Sequence, residues 1–200
     1  MNGLQASAPL PETEVKDPRH SALWEVYDWI EIFVLSISIV FLLFTFGVRI
    51  AVVDGESMTY TLSDHDTLAV TRLFYTPKQG DIVVFQAPKR GFEEPLVKRV
   101  IATEGQTVSI DFDTWEIRVD GVLLHEPYIR HEGGRLHGWY YEGGTAESYT
   151  VPEGCVFVMG DNRNDSTDSR HYSVGPVDTR YIIGKVICRL TPISHFGPVA

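Results

Sequence analysis

The chain has little cysteine, no excess of positive charge and no internal repeat. Its 200 residues contain two cysteines, Cys155 and Cys188, each in an apolar, strand-like stretch. Two cysteines exclude a disulfide-rich scaffold; their setting favours buried free thiols, with a single disulfide as the alternative. The net charge of -10 argues against a nucleic-acid partner, because general nucleic-acid binders carry a basic stripe. The length allows one modest domain with additional segments.

One long apolar run lies near the N-terminus. Residues 32–48 read IFVLSISIVFLLFTFGV and contain no charge. The run meets the lower length limit for a membrane-spanning helix, and Trp24, Tyr27 and Trp29 lie where interfacial aromatic residues are expected. We therefore predict three parts, which are a cytoplasmic tail at 1–28, a single transmembrane anchor at 29–50 and an extracytoplasmic domain at 51–200.

Two alternatives to an uncleaved anchor fit the same run less well. A cleaved signal peptide has a basic start and small residues at its cleavage site, whereas here the preceding segment is acidic and no Ala-x-Ala follows. A buried core helix normally has a polar face, which the run lacks. Lys16 and Arg19 precede the run and give a weak positive-inside signal for a cytoplasmic N-terminus in the cell membrane.

The remainder of the chain alternates short apolar runs with turns, which is typical of β structure. Asp120-Gly121 lies between two alternating segments and predicts a two-residue hairpin. No amphipathic helix separates the runs, so we predict a mainly β, antiparallel fold rather than a parallel α/β sheet. We expect a long loop at 131–149. The predicted strands lie within 81–85, 95–102, 107–110, 115–124, 155–160 and 185–190.

Three segments carry side chains that could do chemistry. Ser57 lies in a turn directly after the apolar segment, where a serine is more often a turn residue than a nucleophile. Lys98 lies beside Arg99 in an apolar strand, and period two puts the two cations on opposite faces. The third segment, GDNRNDSTDSR at 160–170, reads as a polar surface loop or a calcium loop, although it lacks the glycine and closing glutamate of an EF-hand.

A lysine can act as a base only when it is neutral. At an ordinary pKa of about 10.4, roughly one lysine in two thousand is neutral at pH 7. Burial among apolar side chains lowers the pKa by up to several units, and about 4–5 kcal/mol is needed to bring it near 7. Lys98 is therefore either a buried base or an ordinary strand lysine that is solvated or ion-paired.

Other catalytic arrangements find less support in the sequence. The stretch around Ser57 lacks the second glycine of a G-x-S-x-G elbow, and no histidine lies in a sharp motif, which disfavours a Ser-His-Asp triad. His131 and His137 are six residues apart with no H-E-x-x-H, so we expect no metal.

Taken together, the segments resemble type I signal peptidases, the serine–lysine membrane proteases of the S26 class, in their Gram-positive-like, single-anchor form. GESMTYTL at 55–62 resembles the box that carries the family's nucleophile, and VKRVIATEG at 97–105 resembles the box that carries its lysine. The most specific similarity is VPEGCVFVMGDNRNDSTDSR at 151–170. Further similar segments are GDIVVF at 80–85 and VGPVDTRYIIGKV at 174–186.

The resemblance implies a signal-peptidase-like β fold, no cofactor and a role for each matching residue. Ser57 would attack the scissile carbonyl, and its backbone N–H would stabilise the oxyanion. Neutral Lys98 would be the general base, oriented by a hydrogen bond from Ser166. Residues expected to brace the loop are Asp161, Asp168 and Arg170.

The resemblance also implies how a substrate binds. Its extended chain would add as a strand beside 52–55 and 95–98, with small side chains in shallow apolar pockets. The pocket residues would be Val52, Val53, Leu62 and Val97. Tyr60 departs from the family, which usually has proline there; Ala102, Glu104 and Gln106 depart from its usual glycine, proline and aspartate.

These observations predict a membrane-bound serine endopeptidase that cleaves N-terminal signal peptides from secreted preproteins after small residues. Its expected partners are the lipid bilayer and preproteins that emerge from the secretion machinery. The sequence leaves the oligomeric state open. One alternative is an inactive or narrow-specificity membrane-tethered paralogue that binds peptides, which Tyr60 favours and the set of Ser57, Lys98 and Ser166 disfavours. Another is a self-cleaving repressor-type Ser/Lys protease, but a membrane anchor occupies the place of its DNA-binding domain.

Overall fold

The structure is a computed structural model that describes residues 22–42, 45, 47–87, 94–130, 133–134, 136 and 148–199. The chain divides into two compact units, Met1–Leu42 and Leu43–Ala200. Most of the predicted tail lies outside the described residues.

The first unit contains one helix, α1, at Ala22–Leu42. The hydroxyls of Ser36 and Ser38 each donate to the carbonyl four residues earlier, at 2.7 Å, and thereby satisfy their polar groups within the apolar helix. The predicted anchor at 29–50 differs from α1 at both ends. The helix already begins at Ala22, and Arg49 and Ile50 belong to a strand. Within the part of the chain that the structure describes, no helix combines the length and apolarity that a membrane crossing requires. The anchor stays a prediction.

The second unit is mainly β, and all of its assigned strand pairs are antiparallel, which confirms the predicted fold class. Each predicted strand region overlaps an observed strand. In chain order the strands are β1 Arg49–Val52, β2 Thr67–Thr71, β3 Ile82–Phe85, β4 Leu96–Thr103, β5 Thr107–Ile110, β6 Ile117–Val119, β7 Val122–Leu123, β8 Ser148–Thr150, β9 Cys155–Met159, β10 Val177–Asp178, β11 Ile182–Thr191 and β12 Gly197–Pro198.

The larger sheet positions the candidate site. Its strand order is β1-β2-β11-β3-β4-β9-β10, and β12 pairs with β11. Strand β4 lies inside this sheet between β3 and β9, so its backbone is bonded on both sides and its side chains are buried from Val97 to Ala102. Strand β1 forms one edge of the sheet and leads directly into the turn that carries Ser57.

The smaller sheet, in the order β7-β6-β5-β8, is inserted between β4 and β9. The predicted hairpin is confirmed, because Val119 pairs with Val122 across Asp120 and Gly121. These two turn residues have φ angles of 52° and 80°, as a type I′ turn requires. Of the predicted loop at 131–149, most residues lie outside the described part, and its end forms β8 instead.

Strands β1, β2, β8, β10 and β12 lie outside the predicted strand regions. They are two to five residues long, and β8, β10 and β12 lack an apolar run of their own. Such segments become strands because a neighbouring strand supplies hydrogen-bond partners, a tertiary effect that local patterns do not contain. Both cysteines are free thiols, as predicted, but both are half-buried rather than buried.

Candidate active site

Ser57 and Lys98 are in direct contact, although 41 residues separate them. The Nζ atom of Lys98 lies 2.6 Å from Oγ of Ser57 and also donates to the carbonyl of Val97 at 2.9 Å. Gly55 adopts a φ of 88°, which side chains rarely permit, and lets the chain turn from β1 into the Ser57 segment. This geometry is what transfer of a proton from a serine hydroxyl to a lysine amine requires.

Lys98 lies in an apolar environment. Its exposed fraction is 3%, and it pairs in the β-ladder with Val83, which is completely buried. Burial lowers the pKa of Lys98 from 10.5 to about 8, because desolvation disfavours the ammonium form. The carboxylate of Asp168 opposes this shift in pKa, and the Arg170 guanidinium adds to it. The neutral amine is therefore accessible near physiological pH.

The loop at 160–170 holds the turn that carries Ser57. The backbone N–H of Asn162 donates to the Ser57 carbonyl at 3.1 Å, and its side-chain amide donates to the Glu56 carbonyl at 3.1 Å. The Thr61 hydroxyl donates to Asp161. The Ser57 N–H donates to no residue that the structure describes, so it is available to an oxyanion.

Asp168 is the centre of the loop. It is completely buried and accepts bonds from Nε and Nη2 of Arg170, at 2.9 and 2.8 Å, and from the Gly160 N–H at 3.0 Å. Burial alone would raise the pKa of Asp168, but Arg170 and these donors hold it below its usual range. Asp161 is likewise bonded to an arginine, Arg99. With both carboxylates neutralised by guanidinium groups, the calcium-loop alternative has no support.

Ser166 makes a different contact from the one expected. Its hydroxyl donates to Asp168 at 2.8 Å, and it does not bond to Lys98. An ionised carboxylate is a stronger acceptor than an amine, which accounts for this choice. Ser166 packs against Gly160, where a Cβ atom would overlap both the Ser166 hydroxyl and the Ser57 carbonyl. Gly160 is therefore required for the close approach of the loop to the turn, a role that sequence reasoning missed.

The four residues expected to bind substrate do not share one environment. Val53, Leu62 and Val97 are buried in a single core cluster, packed against one another, whereas Val52 is 60% exposed on β1. Val53, Leu62 and Val97 therefore form an apolar floor beneath the turn rather than the lining of a pocket. Because β1 is an edge strand, an extended peptide can still add along it, in the direction of Ser57.

A cavity of about 350 Å³ lies elsewhere in the second unit. Its lining includes Tyr75, Glu104, Cys155 and Arg180 but neither Ser57 nor Lys98. The contact between Ser57 and Lys98 is therefore separate from this cavity.

Comparison with known proteins decides the family. Residues 26–191 match the family model described as "Signal peptidase, peptidase S26". A signal peptidase I from Bacillus caldolyticus is 38% identical over 154 residues, covering 73% of this chain and 81% of that protein. The chain belongs to this signal peptidase family, peptidase S26. This membership confirms the resemblance found in the sequence and the prediction that the protein is a peptidase.

One further relative and one solved structure are also similar to the chain. Signal peptidase IB from Staphylococcus aureus (strain COL) is 34% identical over 184 residues, covering 86% of this chain and 93% of that protein. A crystal structure of a signal peptidase I from Enterococcus faecalis V583 is 32% identical, covers 56% of this chain and 97% of that one, and superposes with a TM-score of 0.45.

Tyr60 is the main departure from the signal peptidase pattern near Ser57. Its φ is 89°, in the left-handed region, whereas a proline is locked near −65°. The turn therefore takes a path here that the proline usual in the family could not follow. The Tyr60 ring lies under the guanidinium of Arg130, 4.6 Å from its Cζ to the ring centroid.

Three further residues that were not among the expected site residues connect the smaller-sheet insertion to the site. Arg99 is bonded twice to Asp161 and stacks on Tyr128, with Cζ 3.8 Å from the ring centroid. Glu126 pairs with the buried Arg163 of the loop. Glu126 and Tyr128 belong to no sequence motif; the available signal was the density of buried arginines, which require partners.

Proposed function

We propose that this protein is a membrane-bound serine endopeptidase that cleaves N-terminal signal peptides from secreted preproteins after small residues. The observation that carries the proposal is the 2.6 Å contact between Lys98 Nζ and Ser57 Oγ in an apolar environment. The names of the relatives support the substrate class, since each is a signal peptidase I or IB. No cofactor takes part in the proposed reaction.

The reaction would proceed through an acyl-enzyme. Neutral Lys98 accepts the Ser57 proton as Oγ attacks the scissile carbonyl, and the Ser57 N–H stabilises the oxyanion that forms. The Lys98 ammonium then gives its proton to the departing amine. In the second half, neutral Lys98 takes a proton from water as the water oxygen attacks the acyl-enzyme. The Lys98 ammonium then returns that proton to Ser57 Oγ as the ester bond breaks, which releases the new carboxyl end.

The supporting residues would act on geometry and charge. Asp168, held ionised by Arg170, ties Ser166 and Gly160 together behind the Ser57 turn. Asp161 joins that turn, through Thr61, to Arg99 in the strand that carries Lys98. We propose that these contacts fix the distance between nucleophile and base, which proton transfer needs to within a few tenths of an ångström.

Substrate binding and location complete the proposal. The residues before the cut would add beside β1, over the floor of Val53, Leu62 and Val97. The N-terminal segment would anchor the chain in the cell membrane, with its N-terminus in the cytoplasm and the catalytic unit on the outer face. External protease added to intact cells should then digest the catalytic unit and leave an N-terminal tag intact; digestion of the tag would contradict this orientation.

A cleavage assay tests the activity. The full chain in neutral detergent should process a preprotein, and Ser57→Ala and Lys98→Met should each lower the rate at least about a thousandfold. Lys78→Met, which removes an exposed lysine, is the matched control and should retain activity. Equal processing by the wild type and both site variants would refute the Ser/Lys mechanism.

The same assay addresses the alternative of a tethered peptide-binding paralogue, which the unusual backbone at Tyr60 favours. Binding of a signal peptide to the wild type without cleavage, under conditions in which a relative cleaves it, would support that alternative.

A further inference from the structure

Arg130 differs from the other arginines near the catalytic turn. Arg99, Arg163 and Arg170 are buried, and each is paired with a carboxylate. Arg130 is exposed, and no carboxylate pairs with it among the residues that the structure describes. In a chain with a net charge of -10, an arginine that has no acidic partner among the described residues is a candidate to bind an acidic ligand.

The aromatic ring of Tyr60 orients this guanidinium. The Arg130 Cζ atom lies 4.6 Å from the centroid of the ring. A stacked guanidinium uses its flat face for the ring and keeps the N–H groups at its edge free, and these groups match the two oxygens of a carboxylate. The stack therefore presents a preoriented acceptor for an acidic group beside the catalytic turn.

The backbone that carries Arg130 is also fixed. Tyr128 donates to Glu126 at 3.0 Å and lies under Arg99, while Glu126 pairs with Arg163. These contacts fasten the segment to the strand of Lys98 and to the loop at 160–170. Arg130 therefore follows a segment that these contacts hold in place, so less conformational entropy is lost when its side chain binds a charged group.

The position of Tyr60 sets which part of a substrate Arg130 can reach. Three residues separate Tyr60 from Ser57, so their Cα atoms are at most about 11 Å apart. An extended peptide rises about 3.3 Å per residue and covers about 10 Å in three residues. A side chain within about three residues of the cut bond can therefore reach the neighbourhood of Tyr60, where the Arg130 guanidinium lies.

Resting on the proposed function, we propose that Arg130, stacked on Tyr60, is a specificity-determining residue that binds an acidic side chain of the substrate within three residues of the cut bond. The ligand class is an Asp or Glu side chain of an extended peptide.

A peptide series in neutral detergent tests this. Each peptide carries Asp, Asn or Lys at one position within three residues of the cut, and the readout is the ratio of kcat/KM for Asp over Asn in each enzyme. The wild type should favour Asp by about three- to fivefold at one or more positions, the range expected of an exposed charge pair. Arg130→Gln should bring that ratio to one, and Arg130→Glu should shift the preference to Lys.

The control is Arg118→Gln, which removes an equal charge from an exposed pair with Glu116 in the smaller sheet and should keep the wild-type ratio. A ratio of one in the wild type, or a ratio unchanged in Arg130→Gln, would overturn the proposal while leaving signal-peptide cleavage intact. If the wild type cleaves no peptide, the proposed function fails instead. The Kd ratio of the Asp and Asn peptides for Ser57→Ala, with and without Arg130→Gln, then decides the role of Arg130 independently.

Discussion

Lys98 and Arg99 are neighbours in β4 and are equally buried, at 3% and 2% exposure, yet the two faces of the strand treat them differently. Arg99 is bonded twice to Asp161, donates to the Gly80 carbonyl at 3.0 Å and stacks on Tyr128. Lys98 bonds to a hydroxyl and a carbonyl, and to no carboxylate among the described residues.

The difference follows from the chemistry of the two side chains. A guanidinium keeps its proton in a protein, so a buried arginine needs a carboxylate. An amine can lose its proton, so a buried lysine without a carboxylate becomes a base. The same strand thus contains a permanent charge, that of Arg99, which holds the site together. One residue away it contains a conditional charge, that of Lys98, which can be lost and is suited to acid–base chemistry.

The largest expected effect comes from removing the permanent charge. Arg99→Met should lower the free energy of unfolding by about 3–5 kcal/mol, because it leaves Asp161 charged and unpaired in the interior. Denaturant unfolding of the full chain in neutral detergent measures this change. Arg118→Met, at the exposed pair, should cost no more than about 1 kcal/mol. Adding Asp161→Asn to Arg99→Met should recover part of the loss; no recovery would mean that the stack on Tyr128 dominates.

Removing the conditional charge of Lys98 should instead raise the free energy of unfolding. Burial lowers the Lys98 pKa to about 8 from 10.5, so the folded chain takes up the proton on Lys98 only near pH 8, whereas the unfolded chain takes it up near pH 10.5. At about 1.36 kcal/mol per unit, this difference destabilises the folded chain by up to about 3 kcal/mol at pH 7. The unfolded state binds more protons between pH 8 and 10.5, so stability rises with pH across that window. Lys98→Met should therefore be inactive yet more stable at pH 7, with the gain vanishing near pH 10.5; an equal gain at both values would contradict this.

The sequence predicted which residues form the candidate site better than it predicted their contacts. Taken alone, Ser57, Lys98 and the loop at 160–170 each had an ordinary structural interpretation, and their combined resemblance to one family singled them out; period two correctly separated Lys98 from Arg99. The expected pairing of Asp168 with Arg170 is present, since two residues of spacing in a loop leave little freedom.

Contacts between distant segments were the part that local patterns could not supply. Glu126 lies 37 residues from Arg163, and their pairing depends on how the smaller sheet is inserted. The partner of Ser166 depends on competition between two acceptors that only the folded loop brings close. The backbone of Tyr60 was equally hidden, because a tyrosine gives no indication of a positive φ.

The pH dependence of cleavage probes the conditional charge directly. If neutral Lys98 is the base, kcat/KM should rise with pH through a pKa of about 8, by about 50-fold between pH 6 and 8, and level off above it. The sign follows from the lowered pKa, since the active form is the deprotonated one. Arg118→Gln should keep the same profile. A rate that is flat between pH 6 and 8, with chemistry shown to be limiting, would exclude Lys98 as the base.

Tyr60 offers the smallest and most specific test, because it changes the position of Ser57 without touching either cation. Tyr60→Pro restores the residue usual in the family, yet φ at this position is 89° and a proline cannot adopt it. The turn must then move, which should lengthen the contact between Ser57 and Lys98 and lower kcat about tenfold or more. Tyr60→Phe keeps the ring beneath Arg130 and should remain within about twofold of the wild type. A Tyr60→Pro enzyme as fast as the wild type would mean that the turn has two usable conformations and that the positive φ is not required for catalysis.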